Sequence, residues 1–276
     1  MIELAKFFEY IKKDTRDITA DDVRIYLAYC KKTCNDVTAD NKRRYINTYF
    51  EWCFNEEIIP RNPVTKVDKI KSIKKVKEAF TDIEIEKMRA YLTNYQRKFN
   101  INGKDISNII KLRNIAIFEI LLSTGVRCAE LISIDRKQVE NGQNEIVILG
   151  KGKKERVVYL NAKAIISIQN YLKARKDDNP ALFISYFSEG ISKKEGLVGR
   201  LTIAGVEILI RKTGKQCNIE AYPHKFRRTS ATMLVNKGMP IEQVQKMLGH
   251  ATLNTTQIYV NVSDNDVKKS HSKYMN

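Results

Sequence analysis

The dipeptide Asn62-Pro63 and the lysines behind it constrain this chain most, because they divide it into two stretches of unlike pattern. The residue ahead of a proline is pushed out of helical geometry by the ring, so the helical reading of the amino-terminal part stops there. Lys66, Lys69, Lys71, Lys74, Lys75 and Lys77 follow, with no sustained apolar periodicity until Ile83. Such a segment stays hydrated, and its ~16 residues span ~50 Å when extended. At 276 residues the chain also exceeds the ~100 to 200 residues usual for one domain. The reading is therefore a helical domain over residues 1–63, a basic linker over 64–79 and a larger domain over 80–276.

The first domain reads as helices only. Thr19 with Asp22 three residues on has the form of a capping box ahead of Val23–Leu27, and a second helix start is expected at Thr38. Beyond it, Tyr45, Tyr49 and Cys53 fall on one stripe and Ile46, Phe50 and Phe54 on the next, which is an apolar face at helical spacing. Lys42, Arg43 and Arg44 stand just before that face, placed either to meet a DNA backbone or to form a solvated helix end.

In the second domain the pattern becomes mixed. Thr81-Asp82-Ile83-Glu84 opens one helix, and Ile109–Leu122 reads as a strongly apolar one. Glu145–Leu149 and Arg156–Leu160 are β-rich runs around Gly150-Lys151-Gly152-Lys153-Lys154-Glu155, the pattern of a hairpin with a glycine-containing turn. Gly238-Met239-Pro240 separates two later helices, glycine closing one and proline opening the next. The fold class expected is mainly α with a small antiparallel β-sheet.

Composition narrows the partner. With 49 Lys and Arg against 32 Asp and Glu, the formal charge is +17. A charge of that size favours a polyanion, most commonly nucleic acid, since each phosphate neutralised releases a counterion. No apolar run approaches the ~20 residues of a membrane helix, and the start Met1-Ile2-Glu3-Leu4-Ala5-Lys6 has no secretory pattern, so no membrane partner and a cytoplasmic location are expected. The five cysteines, Cys30, Cys34, Cys53, Cys128 and Cys217, are odd in number and scattered, which disfavours disulfides. Cys30 and Cys34 have no further Cys or His pair nearby to complete a zinc site. Neither a metal nor a cofactor is expected.

The chemistry lies from residue 124 onward. Thr124-Gly125-Val126-Arg127-Cys128-Ala129-Glu130-Leu131, Gly150-Lys151-Gly152, His224-Lys225-Phe226-Arg227-Arg228, Leu248-Gly249-His250 and Tyr259 together supply two arginines, a lysine, two histidines and a tyrosine. That set can attack a phosphodiester without a metal. Charge gathering on the non-bridging oxygens needs fixed cations, and arginine stays charged and grips two oxygens at once. His224 and Arg227, three apart at a helix start, project from one face. Glu130, one turn after Arg127, is placed either to orient its guanidinium or to lie as a surface carboxylate. A tyrosine with a pKa of ~10 is ionised only to about a thousandth at neutral pH, a deficit of ~4 kcal/mol. Nearby cations and a neighbouring imidazole offset that deficit.

In order and spacing these segments, spread over residues 80–262, resemble the tyrosine recombinases of the phage-integrase type. The resemblance implies a helical DNA-clamping domain followed by a mixed α/β catalytic domain. It implies site-specific recombination of double-stranded DNA through a 3′-phosphotyrosyl link, for integration or excision of a mobile element or for Xer-like resolution. By it Tyr259 is the nucleophile, Arg127 and Arg227 the phosphate clamp, and His224 a base or orienting group. His250 donates to a non-bridging oxygen. Lys151, the first lysine of the Gly-Lys-Gly turn, protonates the leaving 5′-oxygen, with Lys153 and Lys154 as rivals. A homo-tetramer on two DNA sites is implied, monomeric without DNA, with a short helix around Asp264–Ser270 packing on a neighbouring protomer.

The match departs from the pattern in places. Arg228 stands where many relatives carry a second histidine, and Met1 already lies in a helical pattern, so either the first helix is short or residues precede it. No additional arm-binding module is discernible. Three other functions remain: relaxation of supercoils as in type IB topoisomerases, DNA binding without cleavage, and a magnesium nuclease, for which no carboxylate cluster of suitable spacing is evident.

Overall fold

The computed structural model describes residues 2–71, 78–101, 104–139, 143–150, 155–186 and 199–249. It divides into two compact units, Met1–Lys75 and Val76–Asn276. Lys151, Lys153, Lys154, His250, Tyr259, the helix expected around Asp264–Ser270, and Lys74, Lys75 and Lys77 lie outside the described residues. No described helix is long and apolar enough to cross a membrane.

The first unit is built from α1 (Ile2–Ile11), α2 (Ala20–Lys31) and α3 (Asp36–Asn55). Thr19 and Asp22 form the reciprocal capping box, satisfying main-chain donors at the start of α2. Helix α3 begins earlier than Thr38, because Asn35 Oδ1 accepts the Thr38 main-chain N–H at 2.9 Å and so supplies a cap upstream. It also ends before Asn62-Pro63: it stops at Asn55, and Glu57 takes a left-handed φ of 56°. Asn62-Pro63 instead opens a short 3₁₀ turn, Pro63–Lys66, with Asn62 Oδ1 accepting from Val64 N at 2.8 Å.

The core of this unit is Phe7, Val23, Tyr26, Leu27, Ile46, Phe50 and Cys53, with Phe7 edge-on to Tyr26 and Phe50. Ile46, Phe50 and Cys53 are buried and Tyr49 half-buried, but Tyr45 and Phe54 are exposed, so the buried stripe is narrower than the two expected. Val64 and Val67, read from sequence as linker, pack into this core. Of the three basic residues offered to DNA, Lys42 pairs with Glu3 and Arg43 is buried against Asp40 at 2.8 Å, while Arg44 is exposed.

The second unit is organised around α5 (Ser107–Thr124), whose apolar surface packs against α4 (Asp82–Thr93), α7 (Ala162–Ala174), α8 (Ile203–Gln216) and α9 (Pro223–Asn236). A helix touched on so many sides is apolar nearly all round, as α5 is, with Ala116, Ile117, Ile120 and Leu121 fully buried. Thr81 and Glu84 cap α4 as a second capping box. Helices α6 (Cys128–Ser133) and α10 (Ile241–Leu248) complete the described helical set. Three antiparallel ribbons accompany them: β1 (Asn100–Ile101) with β2 (Lys104–Asp105), β3 (Glu145–Leu149) with β4 (Glu155–Tyr159), and β5 (Ile184–Ser185) with β6 (Gly199–Arg200). The β3–β4 register pairs Val147 with Val157 and turns Ile146, Ile148 and Val158 into the core. The protein is thus mostly helical with small two-stranded sheets.

Candidate active site

The site forms where the carboxyl ends of α5 and α10 meet the amino ends of α6 and α9 in the second unit. Helix α5 closes on Gly125, which has a left-handed φ of 61° and donates its N–H to Leu121 O at 3.0 Å. A Cβ there would stand 2.8 Å from Leu248 Cδ2 and 3.2 Å from Ser230 Cβ, so α9 and α10 approach this turn as closely as glycine permits. Two residues later Arg127 caps α6 in extended conformation.

Arg127 is held by Glu130. Its main-chain N–H donates to Glu130 Oε2 at 2.8 Å and its Nη1 to Oε1 at 3.0 Å. Glu130 is only 5% exposed, whereas the Arg127 side chain keeps 42% exposure. Of the two sequence readings for Glu130, orienting group and surface carboxylate, its burial and bonding bear out the first.

A second guanidinium grips the same carboxylate. Arg156 on β4 donates Nη1 to Glu130 Oε1 at 2.9 Å, Nη2 to Oε2 at 2.7 Å and Nε to Met247 O, near the end of α10, at 2.9 Å. Burial by itself would raise the Glu130 pKa. The hydrogen bonds from Arg156 and Arg127 outweigh it and hold the carboxyl below the ordinary glutamate value. The neighbouring Cys128 thiol has no such donors among the described residues, and burial pushes it up to about 11. Sequence reasoning treats Arg156 only as the start of a β-rich run. The signal that marks it is period-two alternation, which sets it on the same strand face as buried Val158.

Arg227 is mounted differently. It is 2% exposed, donates Nη1 to Gly125 O at 2.8 Å and bonds Leu248 O through Nη2. The arginine of α9 thereby ties the Arg127 turn to the end of α10. His224 is exposed in the first turn of α9, so His224 and Arg227 run from the surface inward along one side of the helix. Behind them, Arg228 Nη1 donates to Glu78 O at 2.9 Å, Thr229 Oγ1 accepts from Phe80 N at 2.8 Å, and Lys225 stands 4.5 Å from the centre of the Phe80 ring. Arg228, the position that departs from the expected histidine, is therefore buried on the far face and anchors the chain where it enters this unit.

Of the six sequence candidates, Arg127, His224 and Arg227 fall on these elements, while Lys151, His250 and Tyr259 lie outside the described residues. Lys151 belongs to the segment joining β3 to β4, and His250 follows Gly249 at the end of α10. No group of three or more His, Cys, Asp or Glu able to hold a metal occurs among the described residues.

The sequence model of the phage integrase family matches residues 84–266, more than half of the chain. The tyrosine recombinase XerC of Leptospira interrogans is 30% identical over 99% of this chain and 84% of its own length. Among solved structures, the XerH site-specific recombinase in a post-cleavage complex with a palindromic difH substrate aligns at a TM-score of 0.76. It is 23% identical, over 99% of this chain and 78% of that one. The Tn1549 transposon integrase bound to a circular-intermediate DNA aligns at 0.67 and 18% identity, over 98% of this chain and 91% of that one. These structures share the fold, and the sequence matches fix the lineage: the chain belongs to the phage integrase family of tyrosine recombinases.

Proposed function

We propose that this protein recombines double-stranded DNA at specific sites through a phosphotyrosine formed by Tyr259. The phenolate oxygen attacks the scissile phosphorus, the bond to the 5′-oxygen breaks, and that oxygen leaves as a hydroxyl with a proton from Lys151. Arg127 and Arg227 balance the charge that builds on the non-bridging oxygens, His250 donates to one of them, and His224 takes or orients the phenolic proton. The phosphotyrosyl ester conserves the energy of the broken bond, so a new 5′-hydroxyl reverses the attack without ATP. No step calls for a metal or cofactor.

The observation that supports this reading best is the mounting of the two arginines. A buried guanidinium bonded to Gly125 O and Leu248 O joins the turn that presents Arg127 to the helix end that precedes His250. Such convergence from distant stretches of chain is what a pre-organised oxyanion clamp requires. The chain's charge of +17 suits a polyanionic duplex, with the helical first unit as the DNA-clamping domain and the second unit as the catalytic domain. Strand exchange on two duplexes uses a homo-tetramer, monomeric before DNA is bound, in the cytoplasm.

The test is covalent capture. On a nicked target in EDTA, the wild-type chain should form an SDS-resistant protein–DNA adduct and Tyr259→Phe should form none. Absence of both adduct and strand cleavage, with or without magnesium, would establish binding without cleavage, and cleavage without an adduct that stops on chelation would establish a metal nuclease. Sedimentation of the trapped adduct should give a tetramer; a monomer would assign topoisomerase-like relaxation instead.

A further inference from the structure

Arg156 is a charged side chain on the inward face of a two-stranded ribbon, only 11% exposed, where an apolar residue would be the ordinary choice. Its three described hydrogen bonds run to two separate elements: both oxygens of Glu130 on α6 and the Met247 carbonyl on α10. The ribbon could be packed without it, since Ile146, Ile148 and Val158 already seal the core beneath. A planar fork that grips a carboxylate with two donors and a carbonyl with a third sets the two partners in a fixed relation to each other, which lysine cannot do.

We infer that Arg156 is a positioning residue for the cleavage reaction: it locks Glu130, and through Glu130 sets the guanidinium of Arg127 against the scissile phosphate. Glu130 has to hold Arg127 with the same oxygens that Arg156 binds. Oε1 accepts from both guanidinium groups, at 3.0 Å from Arg127 and 2.9 Å from Arg156. Without Arg156, Glu130 is free to rotate toward Arg127 and draw it inward, away from its exposed pose. The Met247 contact ties the same fork to the end of α10. There a Cβ on Gly249 would sit 3.0 Å from Arg156 Cδ, so the turn leading to His250 rests on the Arg156 side chain. This inference rests on the assignment of Arg127 to the reacting phosphate.

Single-turnover cleavage of a nicked target by Arg156→Lys and Arg156→Met tests it, with DNA affinity and unfolding measured alongside. A displaced clamp lowers the cleavage rate at saturating DNA by about 10- to 100-fold, with affinity within about twofold of wild type because Arg156 faces inward. A target carrying a neutral methylphosphonate at the scissile position needs less cationic help, and on it the defect of both variants should shrink, as should that of Arg127→Ala. Arg156→Lys combined with Glu130→Gln should be no slower than the slower single variant, since both act by one route. Wild-type cleavage rates, a defect undiminished on the methylphosphonate, or a folded state lost in both variants would each overturn the inference and leave Arg156 a stabilising residue only. If Arg127→Ala itself cleaves at the wild-type rate, the clamp assignment has failed and not merely its support.

Discussion

Two arginines of the same site are held by opposite means. Arg127 stands at the mouth of α6, less than half exposed, and is gripped by a carboxylate that a second guanidinium also grips. Arg227 is sunk between helices and donates to two main-chain carbonyls, those of Gly125 and Leu248. A carboxylate mount can be neutralised by acid and leaves the guanidinium accessible. A carbonyl mount has no titratable partner and makes the guanidinium part of the fold. One arginine is therefore adjustable while the other cements the elements around it. Catalysis and stability should separate between the two when each is removed.

The largest effect expected is on catalysis. Arg127→Ala should slow covalent adduct formation by about a hundred- to a thousandfold, the cost of deleting one preorganised donor to an oxyanion. Its unfolding free energy should change by less than about 1 kcal/mol, because the Arg127 side chain is itself exposed and Arg156 still pairs both oxygens of the buried Glu130. Arg227→Ala should abolish the adduct as well and in addition lose about 3 kcal/mol in urea unfolding, since two buried carbonyls lose their donor and a cavity opens. Equal stability losses in the two variants would refute the distinction. Next in size, Gly125→Ala should lose about 2 kcal/mol. It forces alanine into a left-handed conformation and drives a methyl against Leu248 and Ser230. Thermal unfolding near the wild-type midpoint would show that the helix ends are less tightly apposed than the 2.8 Å contact indicates.

What could be read in the sequence divides along the same line of local against distant. The capping boxes at Thr19–Asp22 and Thr81–Glu84 are legible because both partners lie within one turn. The apolar α5 and the β3–β4 ribbon are legible because periodicity is local too. Arg127, His224 and Arg227 stand out because their spacing matches the family's motifs. The start of α3 is misplaced because Thr38 is itself a capping residue type, and only the fold shows Asn35 accepting the Thr38 N–H from upstream. The end of α3 is hidden because its left-handed residue is Glu57 rather than a glycine. Arg43 looks like a DNA contact until Asp40, one turn back, takes it inward. Arg156 is the hardest, since its meaning depends on a carboxylate 26 residues away and on a carbonyl at a greater remove still.

The smallest effect expected is a pH dependence belonging to the Arg127 mount alone. Glu130 has a lower pKa folded than unfolded, because Arg156 and Arg127 stabilise its charged form by more than burial destabilises it. A group depressed on folding contributes stability that is complete above its unfolded value, about 4.3 for glutamate, and is lost as pH falls through the folded one. Wild type should therefore lose stability in urea as the pH drops from about 6 to about 3.5, and Glu130→Gln should lose less over that same interval. The amide keeps an acceptor for Arg127 and Arg156 but has no charge to lose, so the difference between the two slopes isolates the carboxylate. Arg227→Ala, which leaves Glu130 in place, should keep the steeper wild-type slope from a lower starting stability. If Glu130→Gln titrates as steeply as wild type, the carboxylate is not what holds Arg127, and the contrast between the two mounts fails at its first term.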